Sequence, residues 1–315
     1  MAEKVKNYLR NAIGNHMIEL GKKNNHVVVL NADLMGTCRN STFVKEFPER
    51  SFNVGIAEQN LVSFSAGLAH EGFIPFVFSM SQFISMRACE AVRTDVAYAG
   101  LPVKFITTYA GVSGGISGAT HWAIEDCAII AAMPNMTVFE PSDVVQAVKM
   151  LEWSLSYDKP LYLRSSVEAV TNKYEDSFTV KLGGSSLLRN GDDGAFLCSG
   201  IVVQYALEAA SRIAEKTGKQ IRVVDMYSIK PVDKKAIISA AGTGTIVVAQ
   251  DHAIIGGLGT MVSQVLAEEG LGIKFKILGI PDYYETMAHA PYLYQKFGYD
   301  ADGLENCILE MLRKE

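Results

Sequence analysis

The chain has 315 residues, 49% hydrophobic and 20% charged, with a formal net charge of -5. That is ample apolar material for the cores of two ordinary domains, and a net negative chain without a basic run lacks the clustered Lys and Arg that nucleic-acid binding needs. Cys38, Cys89, Cys127, Cys198 and Cys307 are scattered without metal-ligand spacing and read as free thiols in a reducing compartment; with no uncharged stretch long enough to cross a membrane, the expectation is a cytoplasmic protein with no metal site of its own.

In chain order, residues 1–20 are broken by Lys4, Lys6, Arg10 and Glu19, which reads as an amphipathic helix rather than a signal peptide. Apolar runs at 26–30, 73–79, 103–109, 136–139 and 161–163 read as strands alternating with helical stretches, the rhythm of a parallel sheet flanked by helices. Between the first two, Leu61, Phe64, Ser65 and Leu68 recur at helical spacing, so a helix is expected from about 57 to 70 with Glu58 in its first turn. A polar interval from 168 to about 182 reads as a linker. Beyond it, 195–197, 221–225, 245–250 and 275–279 repeat the strand rhythm. The fold class is therefore α/β, two parallel-sheet sandwich domains, over residues 1–180 and 181–315.

Candidate functional residues fall near the carboxyl ends of these strands, where open α/β sheets place their sites. Glu58 lies in Asn53-Val54-Gly55-Ile56-Ala57-Glu58-Gln59-Asn60. An acid at a helix start is favoured by the positive helix end, whereas Val54, Ile56 and Leu61 point to burial, which raises its pKa. Read locally, it is equally an ordinary helix-start glutamate satisfying orphan amides. The octapeptide resembles the catalytic-glutamate segment of the pyrimidine-binding domain in thiamine diphosphate enzymes of the transketolase family, and the resemblance extends over nearly the whole chain.

The resemblance implies that Glu58 hydrogen-bonds N1' of the cofactor's aminopyrimidine and holds a proton there, so that N4' can deprotonate thiazolium C2, the cofactor carrying the carbon–carbon chemistry. In Ser79-Met80-Ser81-Gln82-Phe83-Ile84-Ser85-Met86-Arg87-Ala88 it implies Phe83 as the residue stacking on that ring, with Met80 where the family often has a second aromatic; a thioether packs well on a ring. Phe83 alone would read as core. Asp33, in Ala32-Asp33-Leu34, is implied in ordering the cofactor site. Gly114-Gly115-Ile116-Ser117-Gly118-Ala119-Thr120-His121 resembles the loop ending in the family's catalytic histidine. His121 is thereby implied in binding substrate hydroxyls and moving protons, although an isolated histidine reads as a loop anchor, as do those at 16, 26, 70, 252 and 289.

Two positions depart from sugar-using transketolases: Ser117 stands where the family has a substrate-contacting aspartate, and Tyr109 where it has a further histidine. Arg164, in Leu161-Tyr162-Leu163-Arg164-Ser165, matches the family's phosphate-binding arginine, so a small anionic substrate is implied; a strand-end arginine also pairs ordinarily with acids.

Family members hold Mg2+ and the diphosphate with a Gly-Asp-Gly signature that this chain lacks. Gly191-Asp192-Asp193-Gly194 reads instead as a hairpin or loop turn. The resemblance therefore implies the C-terminal half of a split enzyme. Its expected partner is an N-terminal transketolase subunit carrying the diphosphate domain and the Mg2+ ligands, in an α2β2 assembly. Asp225-Met226-Tyr227-Ser228-Ile229-Lys230-Pro231 and Gly256-Gly257-Leu258-Gly259 resemble the family's C-terminal domain, expected to supply dimer contacts and stability without catalytic residues. The glycine string lacks the dinucleotide-binding pattern.

The implied function is transfer of a two-carbon ketol unit from a ketose phosphate to an aldose phosphate. The alternatives are a 2-oxo acid dehydrogenase beta chain, a 1-deoxyxylulose-5-phosphate synthase-like enzyme, or a non-catalytic scaffold.

Overall fold

A run such as Val27-Val28-Val29-Leu30 leaves both faces of a strand apolar, so it is stable only where helices cover the sheet on both sides. The computed structural model describes residues 6–313; Lys4, one of the charges breaking up the N-terminal segment, lies outside them. The chain divides into two units, one of residues up to Ala110 with Ile129–Val180, the other of Gly111–Ala128 with the residues from Lys181 on. A division at 180 would assign the loop 111–128 to the first half, whereas its contacts place it in the second unit.

The first unit contains β1 (Lys6–Tyr8), β2 (Val27–Asn31), β3 (Ser51–Asn53), β4 (Ile74–Met80), β5 (Lys104–Thr108), β6 (Thr137–Phe139), β7 (Leu161–Ser165) and β8 (Ala169–Thr171). Its main strands lie in the order β6-β7-β5-β4-β2-β3, every neighbouring pair parallel, so all their carboxyl ends share one edge. The expected N-terminal helix begins only at Leu9 and runs to Lys23, burying Leu9, Ile13, Met17 and Leu20 along one stripe. The residues before it find backbone partners in an antiparallel ribbon, Lys6 opposite Thr171 and Tyr8 opposite Ala169. The expected linker therefore starts with a strand.

The second unit contains β9 (Ser186–Arg189), β10 (Gly194–Cys198), β11 (Ile221–Asp225), β12 (Ser228–Lys230), β13 (Thr245–Ala253) and β14 (Lys274–Ile280). A five-stranded sheet runs β14-β13-β10-β11-β9, parallel except for β9, which is antiparallel to β11. Because β9 pairs with β11 and not with β10, the 191–194 string is a loop and not a hairpin. Its acids anchor it: Asp193 accepts from the Gln220 N–H at 2.6 Å, and Asp192 pairs with Arg222 at 3.1 Å. In 256–259 a Cβ on Gly256 would stand 2.3 Å from Ala128 Cβ, and one on Gly259 would stand 2.5 Å from Ile277 Cγ2. Only glycine lets the helix Leu258–Glu268 start this close to β14. No pair of described cysteines forms a disulfide, and no described helix is long and apolar enough to cross a membrane.

Lys104 opens β5 fully buried, its Nζ donating to the carbonyls of Tyr157 and, at 2.8 Å, Lys159. Burial pushes its pKa down to about 7, opposed by Asp158. Since the unfolded chain holds that proton up to about 10.5, it binds more protons than the folded chain across this window, and stability rises with pH there. The unfolding free energy of the wild type, measured against that of Lys104→Met by chemical denaturation, should climb between pH 7 and pH 10; a flat difference would mean the lysine keeps its proton when folded.

Candidate active site

The approach to Glu58 is built from the ends of β2 and β3. Val54 N–H donates to Asn31 O at 3.0 Å, the chain turns through Gly55 in the left-handed region (φ +74°), and the helix Glu58–His70 begins. Leu61, Val62, Ser65, Ala66 and Ala69 are buried along it, and Glu58 itself is only 1% exposed. Asn53 fastens the turn, its Oδ1 accepting from the N–H groups of Asp33 (2.9 Å) and Gly55 (3.2 Å). Its Nδ2 faces Asp33 Oδ1 at 3.4 Å. Asp33 is exposed and takes a left-handed conformation (φ +59°) that Asp tolerates better than most residues.

At the end of β4, Met80 is buried and Ser81 Oγ donates to Thr107 Oγ1 at 2.9 Å, while Tyr162 OH donates to Ser81 O at 3.3 Å. These bonds tie β4 to β5 and β7. The following turn, Phe83–Arg87, is π-helical, wide enough to place residues one turn apart over one another. Phe83 is half-buried. Arg87 folds back so that Nη1 donates to both Glu58 oxygens, at 3.0 and 2.8 Å, while its Cζ sits 4.4 Å from the centre of the Phe83 ring. Glu58, Phe83 and Arg87 thus form one contact group on the carboxyl edge.

Tyr109 follows β5 half-buried with φ +65°. A left-handed tyrosine stores about 1–3 kcal/mol of strain, a cost concentrated at functional positions. Arg164 lies at the expected strand end, the penultimate residue of β7 opposite Thr107, but it is fully buried, with Nη1 2.7 Å from Oε1 of the enclosed Glu140. Its partner is an acid after all, but a core one, because the parallel pairing of β6 with β7 brings residue 140 beside it.

The other two candidates belong to the second unit. Ser117 ends the short turn Gly115–Ser117 and is exposed; His121 is half-buried, its Nδ1 2.9 Å from Thr120 Oγ1. The loop is preformed. Gly111 and Ala123 bridge its ends, Trp122 Nε1 donates to Gly115 O at 3.0 Å, and Asp251 Oδ1 accepts from Val112 N–H and Tyr299 OH, each at 2.9 Å.

Sequence reasoning missed Arg87 and Asn53. Arg87 carried a signal, since a residue one helical turn past Phe83 shares its face; Asn53 carried none beyond opening the octapeptide. It missed as well that Asp126, Cys127 and His252 approach one another within 4.8 Å. Their atoms serve the chain's own packing: Gln250 Nε2 donates to Cys127 Sγ at 3.6 Å. His252 Nδ1 lies 2.8 Å from Ala253 O, and its Nε2 lies 3.4 Å from the Ala128 nitrogen.

Fold and edge together define a two-domain α/β protein with a buried acid and an aromatic at the carboxyl ends of its first sheet. Residues 6–172 match the transketolase pyrimidine-binding domain and residues 183–304 the transketolase C-terminal domain. A putative transketolase C-terminal section from Methanocaldococcus jannaschii is 38% identical over 98% of this chain and 97% of its own length. 1-Deoxy-D-xylulose-5-phosphate synthase 1 of Geobacter sulfurreducens is 38% identical, over 92% of this chain but only 46% of the synthase. A solved split-gene transketolase, described as an inactive β4 tetramer, superimposes with a TM-score of 0.87 at 36% identity, covering 98% of this chain and 99% of that one. The chain belongs to the transketolase family, a thiamine diphosphate-dependent family, and is similar throughout to its C-terminal subunits.

The Arg164–Glu140 pair yields a stability prediction. Removing one partner of an enclosed ion pair strands the other charge, at about 3–5 kcal/mol, so Arg164→Ala should lower the urea midpoint accordingly, whereas Arg164→Met with Glu140→Leu should recover most of the loss. A near-neutral Arg164→Ala would show that Glu140 is not charged in the fold.

Proposed function

We propose that this chain is the pyrimidine-binding subunit of a transketolase-type enzyme that transfers a two-carbon ketol unit from a ketose phosphate to an aldose phosphate. The carrying observation is Glu58, an acid 1% exposed at a helix start on the carboxyl edge of the first sheet, grouped with the Phe83 ring. An aminopyrimidine fits this pair. Such a ring needs an in-plane carboxyl and an aromatic face, and the flat, cationic guanidinium of Arg87 already occupies both.

In this reading Glu58 holds a proton against N1' of the aminopyrimidine, Phe83 covers the ring face, Met80 backs the site, and Asp33, tied through Asn53, orders its mouth. Thiamine diphosphate, bound there, would supply the nucleophile and electron sink for carbon–carbon bond cleavage. His121 is assigned to hydrogen-bond substrate hydroxyls and ferry protons, with Ser117 and Tyr109 as the substrate-contacting positions that depart from sugar-using relatives. Arg164, held through Nη1 by Glu140, is assigned to the anionic end of the substrate.

Asp192 and Asp193, the acids of the one string resembling a diphosphate signature, are engaged in anchoring their own loop. We assign the Mg2+ ligands and the diphosphate to a partner chain, an N-terminal transketolase subunit in an α2β2 assembly in the cytoplasm. Similarity to a C-terminal section and to a split-gene transketolase supports that partner. A second reading, condensation of a 2-oxo acid with an aldehyde phosphate as in 1-deoxyxylulose-5-phosphate synthase, is favoured by the departures at Ser117 and Tyr109 and by the similarity to the Geobacter enzyme.

The test is reconstitution with the candidate partner, Mg2+ and thiamine diphosphate, following aldose phosphate consumption. Ketol transfer should appear only in the mixture and fall by about two orders of magnitude or more in Glu58→Ala, the range typical of a lost acid–base group. Turnover of pyruvate in place of the ketose phosphate would select the second reading; activity unchanged by Glu58→Ala would contradict both.

A further inference from the structure

Arg87 stands in two places that the proposed reading reserves for the cofactor. One guanidinium nitrogen donates to both oxygens of Glu58, at 2.8 and 3.0 Å, and the guanidinium carbon lies 4.4 Å from the Phe83 ring centre. An aminopyrimidine needs the same carboxyl and the same ring face, and a guanidinium shares its shape: flat, delocalised, with N–H donors in the plane. The two cannot be in place together. They also differ in freedom, because the Arg87 side chain is 49% exposed whereas Glu58 is 1% exposed. The arginine can swing into water; the carboxyl cannot follow.

We propose that Arg87 is a resident surrogate for the aminopyrimidine, closing the site in the cofactor-free chain and leaving it when the cofactor enters. The proposal rests on the assignment of Glu58 and Phe83 to the pyrimidine. With Arg87 in place the buried carboxylate keeps a counter-charge, and a core-facing acid without one would be destabilising. Entry of the cofactor breaks two charge-assisted hydrogen bonds and a cation–π contact before its own bonds form, so the apparent affinity of the site is its intrinsic affinity reduced by the closed population. Arg87 is then a positioning residue that sets cofactor affinity without touching the bound cofactor. The Phe83–Arg87 turn is π-helical, a local irregularity that often marks functional positions and here lets one side chain cover the other.

The experiment is calorimetric titration of thiamine diphosphate with Mg2+ into the two-chain complex carrying wild-type chain, Arg87→Met or Arg87→Gln, each checked for folding by circular dichroism. Met keeps the aliphatic length without a donor, and Gln keeps a donor without the charge. Side-chain 15N NMR of Arg87 in the wild-type complex supplies a readout independent of any variant. Both variants should bind at least about tenfold more tightly than the wild type, roughly 1.4 kcal/mol, and the Arg87 guanidinium signals should move to solvent-exposed values as the wild-type complex saturates. A wild type that binds with Arg87 signals unmoved, or variants that bind no more tightly than it does, would overturn the surrogate role while leaving the pyrimidine site standing. Absence of binding by all three chains would remove the pyrimidine assignment of Glu58 and Phe83, and the surrogate role with it.

Discussion

A carboxylate withdrawn from water must be paired, protonated or hydrogen-bonded, and Glu58 meets this constraint at the most exacting point of the fold. It is fixed by its position: the first residue of a helix whose apolar stripe packs against the sheet, preceded by a turn that Asn53 fastens to the end of β2. The acid cannot retreat from its place without moving that helix. Everything that touches it is therefore forced to be complementary to it, and the described partner is a cation placed over an aromatic ring.

The parallel sheet explains why one edge gathers so many candidates. When every neighbouring pair is parallel, every carboxyl end falls on the same side, and the loops leaving β2, β3, β4 and β5 deliver Asp33, Glu58, Phe83 and Tyr109 there in turn. Sheet interior and edge then divide the labour. Arg164, inside β7 rather than beyond it, holds Glu140; Lys104, at the opposite end of β5, is spent on two backbone carbonyls. Both are polar side chains that the core uses for its own closure.

Much of this was legible in the residues. Apolar runs bounded by turn residues marked the main strands to within three residues, because strands buried on both faces carry little else, and the helix after Glu58 announced itself through Leu61, Ser65 and Leu68. Other short pieces were not legible. β1, β3 and β8 have three residues each, too few for a period to show, and exist because a neighbour offers backbone partners. Site residues recognised by resemblance landed on the expected edge when their place depended on the local turn, as for Glu58 and Phe83. Arg164 lies at its strand end as well, but its pairing with Glu140 was not legible, because which acid a strand arginine meets is decided by pairing with another strand. Arg87 was written in the quoted segment, but its reach back to Glu58 is a tertiary contact.

The most direct test of the account is the rate of hydrogen–deuterium exchange at thiazolium C2 of thiamine diphosphate, measured by quenched-flow NMR in the reconstituted complex without any sugar. Glu58 is assigned to that step alone, so exchange should be fast in the wild type and fall towards the rate of the free cofactor in Glu58→Ala. Exchange that stays equally fast without the carboxyl would contradict the assignment of Glu58 at its root.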